Sequence, residues 1–146
     1  MPRFFVQPQR IRPDFRLVVT FLWGDLHNVD TDGNSFNPAS RDWTVLFCQN
    51  RECKSEIFEV GPFSERPLIL QIDSRIPELA ARVAWFLAKE TNSEVAVEPA
   101  GPWHKLSWLE DQVGAFDLTE AERRASVSCW RRATLENPYP NLQRGI

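Results

Sequence analysis

The sequence predicts an α+β domain: a mostly antiparallel sheet of about five strands, with one central helix and two C-terminal helices packed on it, in the order β-β-β-β-α-β-α-α. Three observations predict it. Short runs rich in β-branched and aromatic residues recur through the first half, separated by turn residues. One long stretch, Ile76 to Asn92, carries apolar residues at helical spacing. Two capping-box spacings, Ser107 with Glu110 and Thr119 with Glu122, announce shorter helices near the C-terminus.

Residues 1–16 contain Pro2, Pro8 and Pro13. Each proline fixes φ and removes a backbone donor, so this segment reads as an extended arm, with Phe4, Phe5 and Phe15 able to pin it to the body. Residues 17–146 then read as a single α+β domain. The first strand is expected over Arg16 to Trp23 (RLVVTFLW), on its β-branched and aromatic content. Residues 24–42 are rich in Gly, Asn, Asp, Ser and Pro and read as a long loop. Trp43–Gln49 and Ser55–Val60 pair as a hairpin across a short turn, and Pro67–Asp73 supplies a fourth strand.

The central helix begins with Pro77 at a position suited to the first helical turn. Ile76, Leu79, Ala80, Val83, Phe86 and Leu87 form its apolar stripe, and Asn92 suits a left-handed cap. At about 100° per residue, Trp85 falls away from that stripe, beside Glu78, Arg82 and Lys89. Ser93–Glu98 reads as the fifth strand. A short helical turn over WLEDQV closes at Gly114, and a last helix runs from Thr119 to about Glu136, where Pro138 and Pro140 stop it.

Composition narrows the function classes. With 146 residues, a 42% hydrophobic and a 25% charged fraction, the chain is one domain able to bury a core. The net charge is −3, but Arg3, Arg10, Arg12 and Arg16 against Asp14 leave the first 16 residues at +3 and the rest at −6. An acidic body favours cationic partners, and a general nucleic-acid footprint is not expected. Three cysteines, Cys48, Cys53 and Cys129, suit a reducing compartment rather than a disulfide framework. No apolar run matches a signal peptide or the ~20 residues that span a bilayer, so the expected location is the cytoplasm, with no membrane partner. Six tryptophans suit either a packed core or a binding surface.

Several constellations bear on chemistry. Asp30 to Asn34 (DTDGN) alternates carboxylates as a calcium loop does, but Gly33 is fourth rather than sixth, and the twelfth position is not glutamate. It reads as an Asp-Gly turn in an acidic loop. Cys48 and Cys53 lack a second pair at zinc spacing, so no metal is expected and Cys48 reads as a buried hydrophobe. His27 follows Asp25 on the long loop, and His104 precedes Glu110 and Asp111; neither lies in a nucleophile elbow, a zinc-protease helix or a phosphate loop. Arg123 to Val127 (RRASV) fits a basophilic kinase consensus but reads as a solvated helix face.

These features point to a small non-catalytic protein-binding domain without a cofactor, an inhibitor or immunity-type protein for a basic partner. The residues expected to bind that partner are Asp25, His27, Asp30, Asp32 and Asp42 on the acidic loop, with Trp85 on the polar side of its helix. The alternative is an orphan enzyme or cation-binding protein that uses loop 24–42 with His27. A third class is an RNA-binding accessory protein acting through the arginines and phenylalanines of the arm.

Overall fold

A computed structural model describes residues 2–142 of the chain. The fold is α+β. A six-stranded, fully antiparallel sheet has the order β2-β3-β4-β5-β1-β6. Its strands are β1 (Arg3–Val6), β2 (Val29–Gly33), β3 (Leu46–Asn50), β4 (Ile57–Glu65), β5 (Leu68–Asp73) and β6 (Val95–Ala96). The helices are α1 (Phe15–Trp23), α2 (Pro77–Glu90), α3 (Leu106–Leu109) and α4 (Leu118–Val127), followed by a 3-10 turn over Cys129–Arg132.

Two N-terminal expectations are corrected. The segment read as an arm supplies β1, which lies between β5 and β6 and pairs with both. Phe4, Phe5 and Val6 are buried there. The prolines flank this strand rather than interrupt it, so none removes a ladder donor. The second correction is RLVVTFLW, which is helix α1. Its β-branched residues favour a strand, but its buried positions Leu17, Val18, Phe21 and Leu22 follow the spacing of one helix face. Asp14 caps the helix by accepting from Arg16 N–H at 3.0 Å, and Gly24, at φ 103°, ends it. Tertiary packing and a strong cap outweigh a modest propensity.

α1 and α2 cover one face of the sheet. Phe4, Val6, Cys48, Phe58, Val60, Leu70 and Ile72 from the sheet share a core with Leu17, Phe21, Leu79, Val83 and Phe86 from the helices. α2 matches the expected helix closely, with Pro77 in its first turn. Its polar side is partly covered, with Glu78 and Lys89 exposed and Trp85 buried. Arg82 donates to Val113 O at 2.8 Å and lies over the Phe116 ring.

The C-terminal helices start and stop differently from the capping-box reading. Asp117, not Thr119, caps α4 by accepting from Glu120 N–H at 3.0 Å. α4 ends at Val127 because Ser128 turns extended and starts the 3-10 turn, well before the prolines. Ser107 lies inside α3 rather than at its cap. Arg124, read as part of a solvated face, is half-buried and donates to Thr20 O and Phe21 O at the C-terminal end of α1. A cation there satisfies free carbonyls and complements the helix dipole.

Removal of residues 2–6 is therefore expected to abolish the cooperative unfolding transition, because it takes a central strand out of the sheet. A true arm would be dispensable, and a truncated chain that melts like the full-length protein would return this segment to the surface. The milder Phe4→Ala is expected to lose about 3–5 kcal/mol in urea denaturation, the usual cost of truncating a buried phenylalanine.

Candidate functional site

The sheet has two unlike faces. Along β3, Leu46, Cys48 and Asn50 point into the core, while Phe47 and Gln49 point away from it. Residues directly opposite one another in an antiparallel pair share a face. The register therefore places Asp32, Phe47, Glu59, Asp73 and Arg3 in one row across β2, β3, β4, β5 and β1 on the outer face. The neighbouring row holds Asp30, Gln49 and Ile57. Phe63, at a bulge in β4, joins the same face and meets Phe5 edge-on at 5.4 Å.

The row is electrostatically unbalanced. Glu59 and Asp73 are directly paired across strands, an arrangement that costs stability in isolation. Asp73 gains partial relief, since Gln71 Nε2 donates to its Oδ2 at 2.8 Å and Arg3 Nε lies 3.4 Å from its Oδ1. Among the described residues Glu59 has no ion-pair or hydrogen-bond partner, and Asp32 only accepts from the adjacent Gly33 N–H. Two cavities, of about 590 and 380 Å³, open on this face and share Phe47, Glu59 and Asp73 as lining residues. Lys54 and Arg75 also line the larger one.

The residues expected from sequence to bind a partner are distributed over five places. Asp30 and Asp32 are brought together, two positions apart on β2, rather than in a loop; Asp30 pairs with Arg51 at 2.7 Å. The DTDGN stretch is the edge strand because Gly33 lets the backbone approach the Val45 carbonyl, where a Cβ would collide. Asp25 lies at the end of α1, accepting from Thr20 Oγ1 and from Ser128 Oγ at 2.9 Å. Asp42 lines a separate cavity between the N-terminal segment and the residues after α4. Trp85 is 4% exposed and stacks on Phe21 at 5.8 Å, so it belongs to the core. Its departure from the α2 stripe reflects a second buried side of that helix, against α1 and Phe116, not an exposed surface.

His27 and Asp25 do not pair. His27 Nε2 lies 2.7 Å from Asn50 Oδ1 and 2.9 Å from Glu52 Oε2. Both partners are acceptors, so Nε2 carries the proton and donates. Asn50 and Trp23 in turn donate to Glu56, which closes a hydrogen-bonded cluster that ties α1 to the β3–β4 turn. Among the described residues, no three of His, Cys, Asp and Glu converge as a metal-binding group. Burial pushes the Cys48 thiol far up, and Cys129 is also raised, by burial first and Asp25 second.

Glu59, Asp73 and Phe47 were not among the residues picked from sequence. The signal was present as inward-outward alternation along LFCQN and IFEV, which puts Phe47 and Glu59 on the side opposite Cys48 and Phe58. The adjacency of Glu59 to Asp73 depends on strand register.

No helix of the described residues is long and apolar enough to cross a membrane. The chain matches no family model, no curated protein and no solved structure at a significant level.

Two outcomes follow from these placements. Trp85→Ala is expected to destabilise the fold by about 3–5 kcal/mol, read as a lower denaturant midpoint; an unchanged midpoint would place the indole outside the core. With a maleimide at neutral pH, the exposed Cys53 should label first, whereas Cys48 should label only on unfolding, since the thiolate is the reacting form. Fast labelling of Cys48 in the native protein would contradict its burial.

Proposed function

We propose that the chain is a non-catalytic protein-binding domain that docks a basic partner on the open face of its sheet. The observation that carries this reading is the row Asp32–Phe47–Glu59–Asp73, where carboxylates with little internal compensation flank an aromatic ring. Long-range attraction by the carboxylates raises the association rate, and burial of Phe47, Ile57 and Phe63 slows dissociation. Phe63 is 53% exposed, enough for a partner to gain apolar contact there.

The mode of docking follows from the edge. β2 is a short edge strand bearing Asp30 and Asp32, and charged side chains on an edge discourage addition of another strand. A partner therefore lies across the sheet face rather than extending it. An inhibitor or immunity-type role fits this chemistry, with a basic, nucleic-acid-directed enzyme as the class of target. An acidic face can occupy the surface such an enzyme presents to phosphates.

The test begins with retention of native-host proteins on the immobilised chain and identification of what is retained. Association of that purified protein is then measured against salt. The double variant Asp32→Lys, Glu59→Lys should slow association roughly tenfold or more at low salt and flatten the salt dependence, with an unchanged melting temperature. Retention of an acidic partner, or equal association by the double variant, would reject the reading.

A further inference from the structure

A cavity of about 700 Å³ lies away from the sheet face, between the N-terminal segment, residues 39–42 and residues 131–135. Its volume is within the usual range of small-molecule sites, roughly 300–1,000 Å³. Ile11, Ala39, Ala133 and Leu135 give it apolar walls, and Arg41 and Arg132 line it as well. The walls are tied to one another. Arg12 N–H donates to Arg41 O at 2.9 Å, its Nε donates to Trp43 O at 2.7 Å, and Asn37 Nδ2 donates to Leu135 O at 3.2 Å. Three distant parts of the chain are thus held around one space.

The arginines of this region fall into two groups. Arg131 also lines the cavity, but its guanidinium is taken by both oxygens of Glu90 and by Ala125 O. Arg12 is spent on the Trp43 carbonyl, with Asp42 as its nearest opposing charge. Arg41 and Arg132 have no acceptor for their side chains among the described residues. Two uncommitted guanidiniums beside apolar walls match an anionic head on an apolar body, because the planar fork binds carboxylate or phosphate oxygens in pairs.

We infer that this cavity is a binding site for a small organic anion, with its phosphate or carboxylate held by Arg41 and Arg132 and its apolar part against Ile11 and Leu135. Asp42, on the same wall, opposes the ligand's charge and limits the affinity. The inference is independent of the open-face reading, since the two surfaces share no residue.

The test is an NMR or calorimetric titration of the full chain with phenyl phosphate, benzoate and inorganic phosphate. Phenyl phosphate or benzoate should bind in the millimolar range or better, and whichever binds tighter identifies the preferred head group. Inorganic phosphate, lacking the apolar part, should bind at least several-fold more weakly than that ligand. Arg41→Gln and Arg132→Gln should each weaken binding roughly tenfold, the loss expected for a charge-assisted hydrogen bond. Asp42→Asn should tighten it a few-fold. A melting curve for each variant checks that the fold is retained; Arg132 is exposed, and among the described residues its side chain makes no hydrogen bond or ion pair that its loss would break. Absence of saturable binding by either aromatic anion, equal binding of inorganic phosphate, or unchanged affinity in both arginine variants would overturn the assignment.

Discussion

The buried pair of Asp14 and Arg16 is the constraint on which the rest of the structure depends. Asp14 is 0% exposed, and it both caps α1 and accepts a two-pronged contact from Arg16 at 2.9 and 2.7 Å. Removing two charges from water is costly, and the two-pronged contact offsets part of that cost while Arg16 Nη1 stays buried without a partner among the described residues. The guanidinium then stacks over Trp130 at 4.0 Å, which seats the 3-10 turn after α4 on the start of α1. Beside it, Pro13 O accepts from the buried Trp43 indole at 2.8 Å. One node thus fixes where α1 starts, how the C-terminal segment lies on it, and where the chain enters β3. Without the cap, α1 would lose the geometry that places Leu17 and Phe21 over the sheet.

α1 and α2 both lie on one face of the sheet, and on the other face Phe5 is buried while Glu59 and Phe63 stay exposed. The core face is chiefly apolar; Thr31 opposite Cys48 and Asn50, whose amide serves the His27 cluster, are polar positions on it. The outer face combines aromatic and aliphatic surface with four carboxylates, of which Asp30 and Asp73 have arginine partners and Asp32 and Glu59 have none among the described residues. A sheet whose outer face only met water would be expected to carry polar residues of both signs with fewer large apolar ones.

The fold class was legible in the sequence, as were the β3–β4 hairpin, the β5 strand and the α2 helix. Each of these is a case where local pattern and tertiary role agree. The N-terminal third was not legible, for one physical reason in two guises. RLVVTFLW has strand-like composition but helix-like burial, and only Asp14 at its start and Gly24 at its end betray the helix. FFV in a proline-rich, arginine-rich stretch resembles a surface arm, and its place between β5 and β6 is set by pairing with residues about 70 and 90 positions away. Short-range pattern does not encode such pairing. The site divides in the same way. Asp30 and Asp32 were visible as an acidic stretch, but the row that joins Asp32 to Phe47, Glu59 and Asp73 exists only once four strands are in register.

The arginine bias shows how composition and structure can point in different directions. Fourteen arginines against three lysines could mark a surface for phosphates. Most of the described ones instead close the fold on itself. Arg12, Arg82, Arg124 and Arg131 each donate to a backbone carbonyl. Arg3, Arg16, Arg51 and Arg123 each face a carboxylate. A guanidinium does this work better than an ammonium, because its rigid fork can reach two acceptors at once while its weak hydration makes partial burial tolerable. Of the four arginines that made the first 16 residues look basic, three are engaged in this way, two by carboxylates and one by a backbone carbonyl. What remains free is a small set, and Arg41 and Arg132 are the two that share a cavity. Positive charge on this chain is therefore chiefly an internal fastening, and its few uncommitted members mark where an anion could be held.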